Sequence, residues 1–220
     1  MKKVLIFDFD GVFYSGDHKF DNVAGHVNKN RRKFFPNITD RVYEQICKEF
    51  PDWLKTVSGA EITDCIYKIK NKYPSLDIST KAFWDWQQED IYPLIIDYGQ
   101  VVNAKYMQQL CSEFPIYIVS NSSPNHIKFY MEKLNVNPEW FKGIFSNHFE
   151  EFDRTKKHYY EEILKIENCE PKNAYVYGDS INSDLKPGRM LGINAFHITN
   201  SNDIQEIVDD SLNRGGKENE

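Results

Sequence analysis

The run Val4-Leu5-Ile6-Phe7-Asp8-Phe9-Asp10-Gly11 passes from unbroken apolar, β-favouring side chains to two carboxylates and a glycine. A strand buried on both faces of a parallel sheet reads as such a continuous run, not as an alternation. In an open α/β sheet, ligands bind outside the carboxyl ends of the strands, which is where Asp8 and Asp10 fall. Period-two geometry sends both side chains the same way while the strand persists, and Gly11 permits an abrupt turn that lets backbone approach a ligand. Carboxylates this close repel unless a cation sits between them or one is protonated. That suggests a divalent, oxygen-liganded metal, Mg²⁺ on chemical grounds. A plain Asp-Gly surface turn explains the same residues without chemistry, so the segment is weighed against the rest of the chain.

Working outward, the apolar pattern recurs. Residues 115–119 (Pro-Ile-Tyr-Ile-Val), 174–177 (Ala-Tyr-Val-Tyr) and 193–198 are further runs, and residues 143–146 (Gly-Ile-Phe-Ser) a weaker one. Helical periodicity separates them. Tyr106, Leu110 and Phe114 share a face, as do Ile127, Tyr130, Met131 and Leu134, and then Tyr160, Ile163 and Leu164. Strands alternating with amphipathic helices predict an α/β fold with a doubly wound, Rossmann-like parallel sheet. The stretch between the first two strands breaks the alternation, because a βαβ crossover takes about 30 residues and Asp10 and Ser120 lie much further apart. Its own pattern is helical, in Val42, Ile46 and Phe50, in Ile62, Cys65, Ile66 and Ile69, and in Phe83, Trp84 and Trp86, punctuated by Pro51, Gly59 and Pro74. The expected organisation is a catalytic core of residues 1–15 and 91–213, an inserted α-helical cap of residues 16–90, and a polar, frayed tail of residues 214–220.

Composition narrows the function. A hydrophobic fraction of 40% argues for a packed protein, and a net charge of -6 leaves no broad basic footprint for a nucleic acid polymer. The four cysteines stand far apart, without metal-ligand spacing, and read as buried thiols of a reducing compartment. After Met1-Lys2-Lys3 the apolar run is too short for a signal peptide, and no stretch approaches the ~18 apolar residues of a membrane span. A cytoplasmic protein with no membrane partner is expected.

Three more segments place chemistry beside strand ends. Ser120-Asn121-Ser122-Ser123 closes an apolar strand, and its hydroxyl and backbone N–H groups suit a phosphate oxygen at a helix N-terminus; helix capping is the plainer reading. Gly178-Asp179-Ser180-Ile181-Asn182-Ser183-Asp184 closes another, bringing two more acids to the same sheet edge. Capping explains one of those acids but not both beside a tight glycine turn. Arg154-Thr155-Lys156-Lys157 opens the helix before that strand. Phosphoryl transfer needs a fixed positive charge against the transition-state oxygens, and Arg154 and Lys157, three apart, share a helix face. A solvated basic turn accounts for them equally well.

The order Asp-x-Asp-Gly, strand-Ser-Asn, cationic helix start, Gly-Asp-Ser-x-x-x-Asp resembles the haloacid dehalogenase-like superfamily of phosphohydrolases, in its subfamily with a helical cap after the first motif. The run from Gly178 through Lys186-Pro187-Gly188-Arg189-Met190-Leu191-Gly192 is similar to the family's fourth motif. The resemblance implies that Asp8 is the nucleophile and Asp10 the general acid and base. It implies Mg²⁺ held by Asp8, Asp179 and the Asp10 backbone carbonyl, with Asp184 orienting its shell. It further implies that Ser120, Asn121 and a cation bind the phosphoryl oxygens and that the substrate is a small phosphorylated molecule. The family's third motif has a lysine before a proline. Here the ungapped position is Arg154 with no proline after it, and Lys157 is the alternative.

Three other readings are open. A receiver-like signalling module also uses acids at parallel strand ends, but its acceptor does not lie on the first strand and it has no large insert. The same fold also serves idle binding proteins and phosphomutases. In the insert, Trp53, Tyr67, Tyr73, Trp84, Trp86 and Tyr92 either stack on a nucleobase or form the insert's own core; sugar phosphates and nucleotides are both compatible.

Overall fold

The computed structural model describes residues 2–14, 19–20, 32, 35, 37–54, 59–76, 95–97, 99–122, 124–146 and 156–214. In chain order these form β1 (Val4–Phe7), β2 (Lys19–Phe20), α1 (Asp40–Glu49), α2 (Gly59–Lys72), β3 (Ile95–Asp97), α3 (Ala104–Glu113), β4 (Ile116–Ser120), α4 (Pro124–Lys133), β5 (Gly143–Ser146), α5 (Lys157–Glu167), β6 (Ala174–Gly178), α6 (Lys186–Met190), β7 (Asn194–His197) and α7 (Ile204–Arg214). Two compact units result, Met1–His18 with Asp97–Glu220, and Lys19–Ile96.

The first unit is built on a five-stranded sheet in the order β5-β4-β1-β6-β7, every neighbouring pair parallel. Leu5, Ile6 and Phe7 register against Ile116, Tyr117 and Ile118 on one side, and β1 registers against residues 174–177 on the other. The apolar runs become central strands because both faces are covered. Val4, Ile6, Tyr117, Val119 and Val176 pack with Tyr160 and Ile163 of α5. On the opposite face Phe7 stacks on Tyr177 at 4.7 Å, whose hydroxyl bonds Ser211 of α7 at 2.6 Å. Each such side chain, fully buried, contributes roughly 1.5–3 kcal/mol. The chain fills β1, β4 and β5 first, then crosses to lay β6 and β7 on the other side of β1. The carboxyl end of β1 is therefore the switch point where an open α/β sheet forms its crevice.

The second unit is helical in its described residues, apart from short β-segments. Thr39 caps α1 through the Val42 N–H, Ile46 is buried on α1, and Cys65, Ile66 and Ile69 are buried on α2. Phe35 meets Trp53 edge-on at 5.6 Å, and Lys72 pairs with Glu49 at 2.9 Å. β2 pairs with β3 in a separate two-stranded sheet. The periodicity read at Phe83, Trp84 and Trp86, and Tyr92 with it, lies outside the described residues, as do residues 215–220; Arg214, expected to open the tail, is the last residue of α7. Of the cysteines, all reduced, only Cys65 is buried, the other three being half-buried. Among the described residues no helix is long and apolar enough to cross a membrane.

Candidate active site

β1 delivers Asp8 to the crevice and β6 holds it there, for the Asp8 N–H donates to the Tyr177 carbonyl at 2.8 Å, prolonging the ladder by one residue. The chain then turns sharply, with the Phe13 N–H donating to the Phe9 carbonyl at 2.8 Å and Gly11 at φ +74°. Gly11 is needed twice over. An L side chain avoids that φ, and a Cβ there would come within 2.6 Å of the Asp179 Cγ. Gly178 serves Asp184 in the same way, since a Cβ at 178 would lie 2.5 Å from that aspartate's Cβ and Oδ2. Residues 180–185 wind into a single π-type turn that fixes Asp184, which accepts from the Ser180 N–H at 2.9 Å and the Ser183 hydroxyl at 3.2 Å.

Three carboxylates converge as a result. Each of Asp8, Asp179 and Asp184 offers an oxygen within 4.8 Å of the others. Among the described residues their cation is Lys156, whose Nζ lies 2.7 Å from Asp8 Oδ1 and 2.6 Å from Asp184 Oδ1. Lys156 is only 1% exposed. Burial works against its charge, but Asp8 and Asp184 outweigh that and keep it firmly protonated. One ammonium does not balance three acids. Burial pushes Asp8 well above the usual carboxylate range; Lys156 opposes this, while Asp184, Asp179 and Asp10 add to it. Asp179 is exposed as a residue, yet its carboxylate points inward against Gly11, and desolvation followed by Asp184 raises it too. Hard oxygen donors carrying surplus negative charge fit a small divalent cation such as Mg²⁺.

Asp10 is held apart from this cluster. His126 Nε2 meets its Oδ1 at 2.6 Å, and the Tyr14 hydroxyl donates to the same oxygen. The Ser122 hydroxyl donates to Oδ2, as does that of Ser120 at 3.2 Å. Burial would raise the Asp10 carboxyl, but His126, then Ser122 and Tyr14, hold it well below the usual range.

A family model described as haloacid dehalogenase-like hydrolase matches residues 2–192. The chain belongs to the haloacid dehalogenase-like hydrolases. Solved structures of similar fold include a HAD-like family hydrolase from Porphyromonas gingivalis, at 11% identity and TM-score 0.53 over 96% of this chain and 98% of that one. Another is a 2-haloacid dehalogenase from Pseudomonas syringae, at 13% identity and TM-score 0.51 over 94% and 98%. A HAD family enzyme of Bacteroides thetaiotaomicron, in complex with magnesium and inorganic phosphate, aligns at 18% identity and TM-score 0.46 over 90% and 94%. No curated protein matches by sequence.

Within this HAD-like hydrolase, the residues expected from sequence fall in three groups. Asp8, Asp179 and Asp184 come together. Asp10 and Ser120 sit beside them, but the Asp10 carboxylate lies in its own set of donors and the Ser120 hydroxyl turns to Asp10 instead of open space. Asn121 follows Ser120 in the same loop, half-buried. Arg154 lies outside the described residues. The expectation for Lys157 is corrected: its ammonium pairs with Glu161 at 3.5 Å along the outer face of α5, and the cation at the acids is Lys156. One helical residue turns the side chain by about 100°, which carries Lys157 away from the face shared by Lys156, Tyr160 and Ile163. That face was the available signal, a lysine heading an apolar stripe. His126 and Tyr14 were also missed. His126 heads a similar stripe with Ile127 and Tyr130, whereas nothing in the sequence distinguishes Tyr14.

Proposed function

We propose that this hydrolase is a Mg²⁺-dependent phosphatase that cleaves small phosphate monoesters through an aspartyl-phosphate on Asp8. The observation that carries the reading is the division of labour between two carboxylates on one turn. Asp8 faces Lys156 and two further acids, while Asp10 sits apart among hydrogen-bond donors. An alkoxide leaving group needs a proton where a halide does not, so a second, separately held acid favours ester cleavage over dehalogenation.

In this mechanism an Asp8 oxygen bonds to phosphorus, the ester P–O bond breaks, and its electron pair leaves on the alkoxide, which takes a proton from Asp10; Asp10, an anion at rest among its donors, acquires that proton when the phosphate's negative charge enters the crevice. Water then attacks the aspartyl-phosphate and gives a proton back to Asp10, releasing phosphate and regenerating Asp8. Lys156 stays charged throughout and faces the phosphoryl oxygens. Asn121 and Arg154 are the proposed further phosphate ligands, with the Ser120 hydroxyl once it turns from Asp10 to the bound phosphate. Mg²⁺, held by Asp8, Asp179 and the Asp10 carbonyl with Asp184 behind them, would supply Lewis-acid neutralisation of phosphoryl charge. Small phosphorylated metabolites, sugar phosphates or nucleotides, are the proposed substrates, with the Lys19–Ile96 unit as their selecting cap.

The test is a panel of phosphate monoesters and 2-haloacids assayed for released phosphate and released halide, with Mg²⁺ and with excess EDTA. Phosphate release that EDTA abolishes is expected. Halide release alone, or phosphate release undiminished by EDTA, would overturn the reading.

A further inference from the structure

Asp10, half-buried, stands within a constellation of mostly buried donors that neither the family match nor the metal cluster requires. Its two oxygens receive four side-chain donors, two apiece: His126 and Tyr14 on Oδ1, Ser122 and Ser120 on Oδ2. Both serines flank the end of β4, so they belong to the crevice already described. His126 and Tyr14 do not. His126 comes from α4, is 8% exposed, and its Nε2 also lies 3.0 Å from the Tyr14 hydroxyl. Its ring lies between Tyr130, at 4.7 Å, and the edge-on Phe9, at 6.5 Å. Tyr14 is 2% exposed, stacks on Tyr130 at 4.3 Å with the rings 7° from parallel, and is bridged to Asp10 and Val101. Aromatic packing thus fixes both donors before any substrate arrives.

Resting on the phosphatase reading, we propose that His126, seconded by Tyr14, is a positioning residue that holds the Asp10 side chain on the leaving-group side of the crevice. The pair keeps that side chain out of the Asp8, Asp179 and Asp184 cluster, where a fourth carboxylate would compete for the cation. Misplacing Asp10 affects protonation of the leaving group and leaves phosphoryl binding alone. The consequence depends on the ester: an alkyl phosphate, whose alkoxide cannot leave unprotonated, relies on the pair, and an activated aryl phosphate scarcely does.

The experiment compares wild type, His126→Ala, His126→Gln and Tyr14→Phe on p-nitrophenyl phosphate and on an alkyl phosphate that the wild type hydrolyses. For His126→Ala, kcat on the alkyl ester should fall by about 10²-fold, with less than about a threefold fall on the aryl ester and KM nearly constant on both. The glutamine amide can donate from near the Nε2 position and should restore most of the loss. Tyr14→Phe, which removes one hydroxyl, should show the same split at smaller size and serves if His126→Ala does not fold. Equal losses on the two esters, in whichever of these variants fold, would make the pair structural only and overturn the proposal. So would alkyl activity unchanged in both His126→Ala and Tyr14→Phe. A wild type inert toward every phosphate ester would instead remove the phosphatase reading, and this proposal with it.

Discussion

At the scale of single residues, the site is a problem in charge. Asp8→Asn keeps the volume and removes the proposed nucleophile, so turnover should fall roughly 10⁴–10⁶-fold, the loss typical of deleting a nucleophile, while circular dichroism stays unchanged. Retention of a tenth of the activity would show that Asp8 does not attack phosphorus. Lys156 and Lys157 are adjacent, and only the first reaches the acids. Lys156→Met should cost about 10²–10³-fold in kcat, as losing an electrostatic stabiliser of the transition state does. It should also destabilise the fold by about 3–5 kcal/mol, because two buried carboxylates lose their partner. Lys157→Ala removes only an exposed pair with Glu161, which is worth little, so activity should stay within about twofold. Steady-state kinetics and urea unfolding of the two variants decide the matter, and similar behaviour of both would refute the assignment to Lys156. The acids were legible in the sequence because strand ends and glycine turns mark where they must lie. The lysine was not, since adjacent residues of a helix start differ in direction and not in chemistry. His126 and Tyr14 were illegible because their meaning arises only when α4 packs against the turn after β1.

At the scale of elements, glycines at strand ends make room for acids: Gly11 for Asp179 from the loop after the neighbouring β6, and Gly178 for Asp184 from the turn that follows its own strand. Gly11→Ala forces a residue into φ +74° and drives its methyl into the Asp179 carboxylate. The left-handed conformation alone costs roughly 1–2 kcal/mol. Displacing Asp179 should weaken Mg²⁺ binding by about 10–100-fold, the usual consequence of disturbing the groups that orient a metal's ligands. Isothermal calorimetry measures this directly, and unchanged affinity would mean that Asp179 does not depend on the glycine. The same elements show how far sequence reading reaches. β1, β4 and β6 coincide with their apolar runs to within a residue, because burial on both faces demands unbroken hydrophobicity. β5, the weak candidate, forms the sheet edge, with Ile144 exposed and its other residues half-buried, where that demand relaxes. β2 and β3, two and three residues long, are too short for any period to register.

At the scale of the whole molecule, two consequences concern the metal and the second unit. In the metal-free protein Asp8 is held above its ordinary range. A group raised in the folded state contributes stability that is complete below its unfolded pKa and is lost as pH rises through the folded one. Mg²⁺, if held by the ionised acids as proposed, should restore what is lost. The Mg²⁺-induced rise in Tm should therefore be smallest in acid and grow as the pH rises through the raised carboxyls. At a hundredfold excess over Kd it approaches about 2.7 kcal/mol, or roughly 5–10 °C for a chain of this size. Differential scanning fluorimetry across that rise in pH would expose a flat response, which would place Mg²⁺ away from these acids. The second consequence follows from where the chain leaves and rejoins the sheet unit. Tyr14 bridges both Asp10 and Val101, and the Val102 N–H donates to the Phe13 carbonyl at 2.8 Å. The two segments of the sheet unit that precede and follow Lys19–Ile96 in sequence are thus stitched to each other. Hydrolysis through an aspartyl-phosphate needs water withheld during the first step and admitted in the second, a task suited to an element that opens and closes. If the second unit performs it, remote binding energy from the leaving group is delivered there, and removing the unit should spare substrates that need none. Replacing residues 19–96 by a short linker should abolish turnover of the preferred metabolite while largely sparing p-nitrophenyl phosphate. Circular dichroism and the Mg²⁺ thermal shift would show that the sheet unit still folds. Equal proportional losses on both substrates, in a folded and Mg²⁺-binding protein, would remove the second unit from substrate selection.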